Sequence, residues 1–279
     1  MPRRDADLVD EEIIMGKYSG VILFSDFDGT FYYGRGNCAP KENIDAVRYF
    51  QENGGRFTLA TGRYPHILHR FADKVGGIMA NAPIIAGNGA LVYDFEQERE
   101  LFSTCVTSDL TPAILELAKH EELFDVVDFF PREPWASVEV RREDTDTIKS
   151  IMENSPHKMY FHIKVDRDDR ELALKQSDEA KALIRSCVSD KYDIVRASLA
   201  GIEILPHGIT KGMHVRPIAE SLGCDKIICV GDYENDTPMI IEADIGYAMG
   251  NAHPSLFEVA DRIAPRFEDA AIAKIIYEL

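Results

Sequence analysis

Twice in this chain a continuous apolar run ends on a carboxylate. The stretches GVILFSD (20–26) and KIICVGD (226–232) each hold four consecutive large or β-branched apolar positions, Cys229 included, before the acid. Strands without polar alternation suit a parallel sheet covered on both faces. Parallel neighbours need a crossover, and helical patterns supply it. APKENIDAVRYFQENGG (39–55) sets Ile44, Val47 and Phe50 near helical spacing and stops at Gly54-Gly55, a helix-ending signal. RFTLAT (56–61) reads as a second strand, YPHILHRFADKV (64–75) as a second helix, and IIAGNGALVYD (84–94) as strand, turn, strand. The rhythm returns with ITKGMHVRPIAESLG (209–223), KIICVGD and the stretches up to AIAKIIYEL (271–279). This alternation predicts an α/β fold with a doubly wound, Rossmann-like parallel sheet.

Between Thr107 and Leu199 the texture changes. Charge density rises, and WASVEVRR (135–142) and YFHIKVD (160–166) alternate apolar with polar residues, as half-exposed antiparallel strands do. Helical patterns lie at DLTPAILELAKHEE (109–122), DTDTIKSIMEN (144–154) and SDEAKALIRSCVSDKY (177–192). The expected organisation is an acidic leader over 1–20, a core formed by 21–106 and 200–279, and a smaller α+β cap inserted at 107–199.

The formal charge of −17 argues against a general affinity for nucleic acid or an anionic membrane. It also means that an anionic substrate needs a locally positive site. No apolar run reaches the roughly 18 residues of a spanning helix, and the leader has no apolar segment behind Arg3 and Arg4. Cys38, Cys105, Cys187, Cys224 and Cys229 are odd in number and form no CxxC. Reduced thiols in a cytoplasmic protein are the simplest account.

Asp26 and Asp28 stand two residues apart where the first apolar run ends, with Gly29 and Thr30 allowing a sharp turn. In extended chain such residues point to one side, and ligands of open α/β sheets bind beyond the carboxyl ends of the strands. A second strand end carries GDYEND, with Asp232, Asn235 and Asp236. Carboxylates from two strand ends suit a hard cation, and Mg²⁺ takes few carboxylates together with water and phosphate oxygens. The anion side is LATGR, which puts Thr61, Gly62 and Arg63 after the second strand, and Lys211 at a helix start. Each stretch alone has an ordinary reading: a capped turn, a strand-to-helix turn, a solvated helix start, an acidic loop. Their order and their placement at strand ends point to one site.

DFDGT, ATGR, TKG and GDYENDTPMIIEADIGYAMGNA, in that order, resemble the four motifs of the haloacid dehalogenase superfamily. IIAGNGALVYD, and an insertion between the second and third motifs, resemble its Cof-type hydrolases with a large α/β cap. The resemblance covers nearly the whole chain from Val21. It implies a phosphatase with Asp26 as nucleophile and Asp28 as general acid and base. It implies Thr61, Gly62 and Lys211 around the phosphoryl group, and Arg63 and Asn88 near the cap. Mg²⁺ would be held by the Asp26 carboxylate, the Asp28 carbonyl and Asp232, with Asn235 and Asp236 orienting Lys211 or metal-bound water. The implied partner is a small phosphorylated metabolite, a sugar phosphate first. A phosphosugar mutase and a non-catalytic ligand-binding protein are the alternatives. Leaving-group recognition is expected in the cap, with Arg132, Trp135, Arg141, Lys158, His162 and Lys164 as candidate contacts.

Overall fold

The computed structural model describes residues 16–32, 39–72, 77, 80–132 and 137–279. Tyr33, Cys38, Trp135 and the leader up to residue 15 lie outside the described residues. In chain order the first half runs β1 (Val21–Ser25), α1 (Lys41–Glu52), β2 (Arg56–Leu59), α2 (Pro65–Phe71), β3 (Ile84–Ala86), β4 (Leu91–Asp94), β5 (Arg99–Ser103), α3 (Thr111–Leu117), β6 (Phe124–Phe130) and β7 (Val138–Arg141). The second half runs α4 (Thr145–Glu153), β8 (Lys158–Ile163), α5 (Arg170–Cys187), β9 (Tyr192–Ser198), β10 (Gly201–Pro206), α6 (Val215–Ser221), β11 (Lys226–Gly231), α7 (Thr237–Glu242), β12 (Ile245–Ala248), α8 (Pro254–Phe257), β13 (Arg262–Ile263) and α9 (Ala271–Glu278).

The core sheet is parallel, in the order β13-β12-β11-β1-β2. Its strands are covered on both faces, as the apolar runs require. Leu23 of β1 packs in one cluster with Val47 and Phe50 of α1 and Ile272 and Ile276 of α9. Its neighbours Ile22 and Phe24 pack in another, with Val215 and Ile218 of α6 and Met239 of α7. Successive side chains of one strand thus feed opposite helical layers. A separate three-stranded antiparallel sheet, β3-β4-β5, follows, and a bridge from Ala60 to Ile85 ties it to the end of β2.

The cap is a five-stranded antiparallel sheet, β7-β6-β8-β10-β9, with helices on one face. Ile114 and Leu117 of α3, Ile148 and Met152 of α4, and Ile184 of α5 pack on Val127, Phe129, Met159, Phe161, Ile202 and Ile204. Helix α5 starts at Arg170, seven residues before the apolar pattern begins at Ser177, because the Asp169 carboxylate accepts from the amides of Glu171 and Leu172.

Two expected boundaries move. Strand β10 pairs with β8 and β9, so the antiparallel sheet runs to Pro206 and residue 200 is not where the core resumes. The residues at 199–200 are a hairpin turn between β9 and β10, and GIEILP is apolar enough to pass for the start of the core until its pairing is seen. The leader also ends earlier than residue 20. Tyr18 is buried in the core, its ring centroid 4.8 Å from that of Phe50 and its hydroxyl donating to the Ile276 carbonyl at 3.1 Å.

Candidate active site

The parallel register brings three strand ends side by side. Ser25 pairs with Val230 and with Leu59. Asp26, Thr61 and Asp232 therefore emerge together at the carboxyl edge of β1, β2 and β11. The Asp26 amide donates to the Val230 carbonyl at 2.9 Å, which fixes where its side chain leaves the sheet. Gly29 follows with a φ of +85°, and a side chain there would collide with the Asp232 carboxylate. The glycine in DFDGT thus serves the turn and leaves room for the acid opposite.

Asp26, Asp232 and Asp236 present oxygens that all lie within 4.8 Å of one another. Lys211 enters this group fully buried. Its Nζ donates to Asp26 Oδ1 at 2.7 Å and to Asp236 Oδ1 at 2.6 Å. The other oxygen of Asp236 accepts from the amides of Asp232 and Tyr233, at 2.9 and 3.1 Å. Asp236 thus spends both oxygens on protein donors, holding the lysine and shaping its own loop.

Burial raises the Asp26 carboxyl to about 7, against the opposing pull of Lys211, with Asp236 and Asp28 adding to the rise. Burial, with Asp26 and Asp236 close by, also pushes Asp232 well above the carboxylate range. Lys211 is raised instead, because its two carboxylate partners outweigh its burial. One lysine leaves this acidic group under-neutralised. Asp26 and Asp232, two hard carboxylates with oxygens to spare, fit a cation of the Mg²⁺ kind.

Asp28 points differently. Its carboxylate is half exposed and takes both Arg63 donors, Nε at 2.6 Å and Nη2 at 2.7 Å. The Arg63 guanidinium carbon lies 4.5 Å from the Phe71 ring centre, a cation–π contact beside the entrance. Thr61 is buried and its Oγ1 accepts from the Arg63 amide at 3.1 Å. Asn88, in the left-handed region at φ 58°, donates its amide to the Thr61 carbonyl. Its side chain accepts from Asn235 at 3.0 Å and donates to Glu203 at 2.6 Å.

A cavity of about 520 Å³ lies over Asp26, Asp28, Gly62, Arg63 and Asp232. The cap supplies its roof. Asp128, Lys158, Tyr160, His162 and Glu203 line it, each alternating along its strand with residues that face the cap helices. Among the cap residues expected to recognise a leaving group, Lys158 and His162 reach the cavity. Arg132, Arg141 and Lys164 do not line it, and Lys164 pairs instead with Asp125 at 2.7 Å and the Glu121 carbonyl. Asp128, Tyr160 and Glu203 line the cavity without having been among the expected contacts. For Tyr160 and Glu203 the period of two in KMYFHI and GIEILP carries a signal that would have found them, whereas a register shift interrupts the strand that carries Asp128.

Comparison with known proteins agrees with this architecture. The profile of haloacid dehalogenase-like hydrolases matches residues 23–276. The 5-amino-6-(5-phospho-D-ribitylamino)uracil phosphatase YcsE of Bacillus subtilis is 27% identical over 261 residues, 91% of this chain and 94% of that protein. Endoribonuclease YBEY, chloroplastic, of Arabidopsis thaliana is 34% identical over 91% of this chain but only 46% of its own length. The solved structure of the subclass IIB sugar phosphatase BT4131 overlays with a TM-score of 0.70 at 19% identity, covering 92% of this chain and 98% of the other. With motifs, sheet order and profile in agreement over nearly its whole length, the chain belongs to the haloacid dehalogenase-like hydrolases.

Proposed function

We propose that this hydrolase is a magnesium-dependent phosphatase of small phosphorylated metabolites whose leaving group is polyhydroxylated, a sugar or polyol phosphate. The observation that carries the reading is the buried group of Asp26, Lys211, Asp232 and Asp236 at the carboxyl edge of the sheet, beneath a cavity of about 520 Å³. Relatives support the class of substrate: YcsE is named for a phosphoribityl compound and BT4131 as a sugar phosphatase. The cap face supports it too, since Asp128, Tyr160, His162 and Ser198 offer donors and acceptors to hydroxyl groups.

In this reading Asp26 attacks phosphorus through a carboxylate oxygen, forming an aspartyl-phosphate as the ester bond to the leaving oxygen breaks. Asp28 gives that oxygen its proton. Asp28 then takes a proton from water as the water attacks phosphorus, which releases phosphate and restores Asp26. To act as an acid, Asp28 must be released from at least one of its two Arg63 donors. Lys211 keeps its charge throughout and opposes the negative charge gathered around phosphorus. The hydroxyl of Thr61 and the backbone at Gly62 face the phosphoryl oxygens. Mg²⁺, held by Asp26 and Asp232 with the Asp28 carbonyl, would further offset that charge. Asp236 and Asn235 position Lys211 and Asn88.

Cys105, Cys187, Cys224 and Cys229 are free thiols among the described residues. No helix among the described residues is long and apolar enough to cross a membrane. The test of function is inorganic phosphate release from a panel of sugar, polyol and nucleotide monophosphates, with Mg²⁺ and with chelator. Release from at least one polyol phosphate, abolished by chelator, is expected. No release from any monoester overturns the reading. Turnover that needs a bisphosphate activator would make the chain a mutase.

A further inference from the structure

A buried ion pair in the cap makes its remaining contacts on the catalytic loops of the core. Lys158, at the start of β8, is 1% exposed and Glu203, on β10, is 2% exposed. Lys158 Nζ donates to Glu203 Oε1 at 2.5 Å and to the Gly62 carbonyl at 2.9 Å. The second Glu203 oxygen accepts from Asn88, which in turn accepts from Asn235. The pair therefore touches the loop after β2 directly and the loop after β11 through one side chain.

We infer that Lys158 and Glu203 are positioning residues for phosphoryl transfer, by which the docked cap sets the direction of the Thr61 hydroxyl and the place of Gly62. The inference rests on the phosphatase reading of this site. An ammonium on the Gly62 carbonyl polarises the Gly62–Arg63 peptide and strengthens its N–H as a donor. That N–H belongs to Arg63 and donates to Thr61 Oγ1. A hydroxyl that accepts from one side turns its own proton elsewhere, here toward the phosphoryl position. Glu203 holds Lys158 in place and fixes Asn88, whose amide anchors the Thr61 carbonyl. Residues on the other side of the junction repeat the arrangement. Arg196 of β9 meets Glu234, next to Asn235, at 3.4 Å.

Stability is a poor explanation for such a pair. A buried ion pair recovers little more than its desolvation cost, whereas removing one partner is expensive. Burial does lower the Lys158 ammonium, with Glu203 opposing the shift. A charged pair placed there gains its use from direction: it is satisfied in full only when Gly62 and Asn88 are within reach.

The experiment compares wild type with Lys158→Met and Glu203→Gln. One arm measures inorganic phosphate binding by calorimetry in Mg²⁺ buffer. The other measures kcat and KM for a sugar phosphate and for p-nitrophenyl phosphate, whose leaving group makes few cap contacts. Lys158→Met is expected to weaken phosphate binding roughly 10-fold and to lower kcat on both substrates by about 10- to 100-fold. Glu203→Gln keeps volume but sets an amide donor where one of two accepting oxygens stood, so it loses the bond from Lys158 or from Asn88 and should move both quantities the same way by about threefold. Unchanged phosphate affinity and aryl kcat, with only the sugar-phosphate KM raised, would make Lys158 a leaving-group contact and overturn the inference. So would wild-type behaviour of Glu203→Gln, which decides the matter if Lys158→Met does not fold. A wild type that binds phosphate but hydrolyses no monoester sinks the proposed function, and the calorimetric arm still decides the role of Lys158.

Discussion

Strand β1 of the parallel sheet is apolar on both faces and its chemistry begins where it stops, at Asp26. Strand β8 of the antiparallel sheet sends Met159, Phe161 and Ile163 toward helices and Lys158, Tyr160 and His162 toward the cavity. The difference follows from burial. A strand covered on both sides can place a polar group only at its end, so its contribution is one position fixed by sheet register. A strand covered on one side has every second residue free. The parallel sheet thus suits a chemistry that must not vary, and the antiparallel face suits recognition that can change residue by residue.

The largest effect is expected at a strand end. Asp26→Asn keeps volume but removes the nucleophile, and turnover should fall at least about 10⁴-fold on every phosphate ester. The same variant tests the electrostatics. Asp26 is raised by burial from 3.8 to about 7, so the folded chain binds this proton more tightly than the unfolded one. Stability of the metal-free protein should therefore fall as pH rises between those two values. Melting temperatures in chelator across this range should show the slope, and Asp26→Asn should lessen it, Asp232, which burial also raises, carrying the rest.

Lys211→Met comes next. It leaves Asp26 and Asp236 buried without their cation, at a cost of about 3–5 kcal/mol in denaturant unfolding. Activity should drop alike on sugar and aryl phosphates. A loss confined to one class of substrate would break the contrast between strand ends and sheet face.

A smaller effect is expected where the two sheets join. Gly89 has a φ of +103°, and a side chain there would collide with the Thr210 carbonyl. Gly89→Ala should cost about 1–3 kcal/mol by thermal or denaturant unfolding, with activity reduced because Asn88 is displaced. An alanine variant as stable as wild type would show that this close approach is not needed.

The least drastic change is His162→Gln on the cap face. His162 is raised by its hydrogen bond to Asp128, with burial opposing. It should reorder sugar and polyol phosphates by about 2- to 10-fold in kcat/KM and leave the aryl phosphate nearly unchanged. In wild type the charged pair is present below the raised pKa and lost as pH climbs through it. The sugar-to-aryl ratio should therefore vary with pH in wild type and be flat in the variant. Equal losses on all substrates would contradict recognition by the face.

The core was legible in the sequence because its signals are local. GVILFSD and KIICVGD announce buried strands, and the register then forces Asp26 and Asp232 together. Lys211 alone reads as a solvated helix start, and it was the order of the motifs and the resemblance they carry that placed it beside these acids. The cap was legible as a change in texture, but a boundary at 199/200 left β10 on the core side. GIEILP is nearly as apolar as a core strand, and only its pairing with β8 and β9 reveals its partners. The role of Glu203 was hidden for the same reason. A single acid inside an apolar run reads as a solvated interruption until the strand is seen to face Asn88.

The two passages of the chain between core and cap meet at one place. The Thr104 amide, on the outward passage, donates to the Ala90 carbonyl at 2.9 Å. On the return, Thr210 lies against Gly89 with no room for a side chain. The whole insertion is thus tethered at two adjacent residues, and its exchange for another is a problem of two splices. A grafted cap joined at 104–107 and 207–210 would inherit the anchorage intact. It would bring its own leaving-group preference, and it would need a lysine and an acid in the positions of Lys158 and Glu203 to work at the native rate.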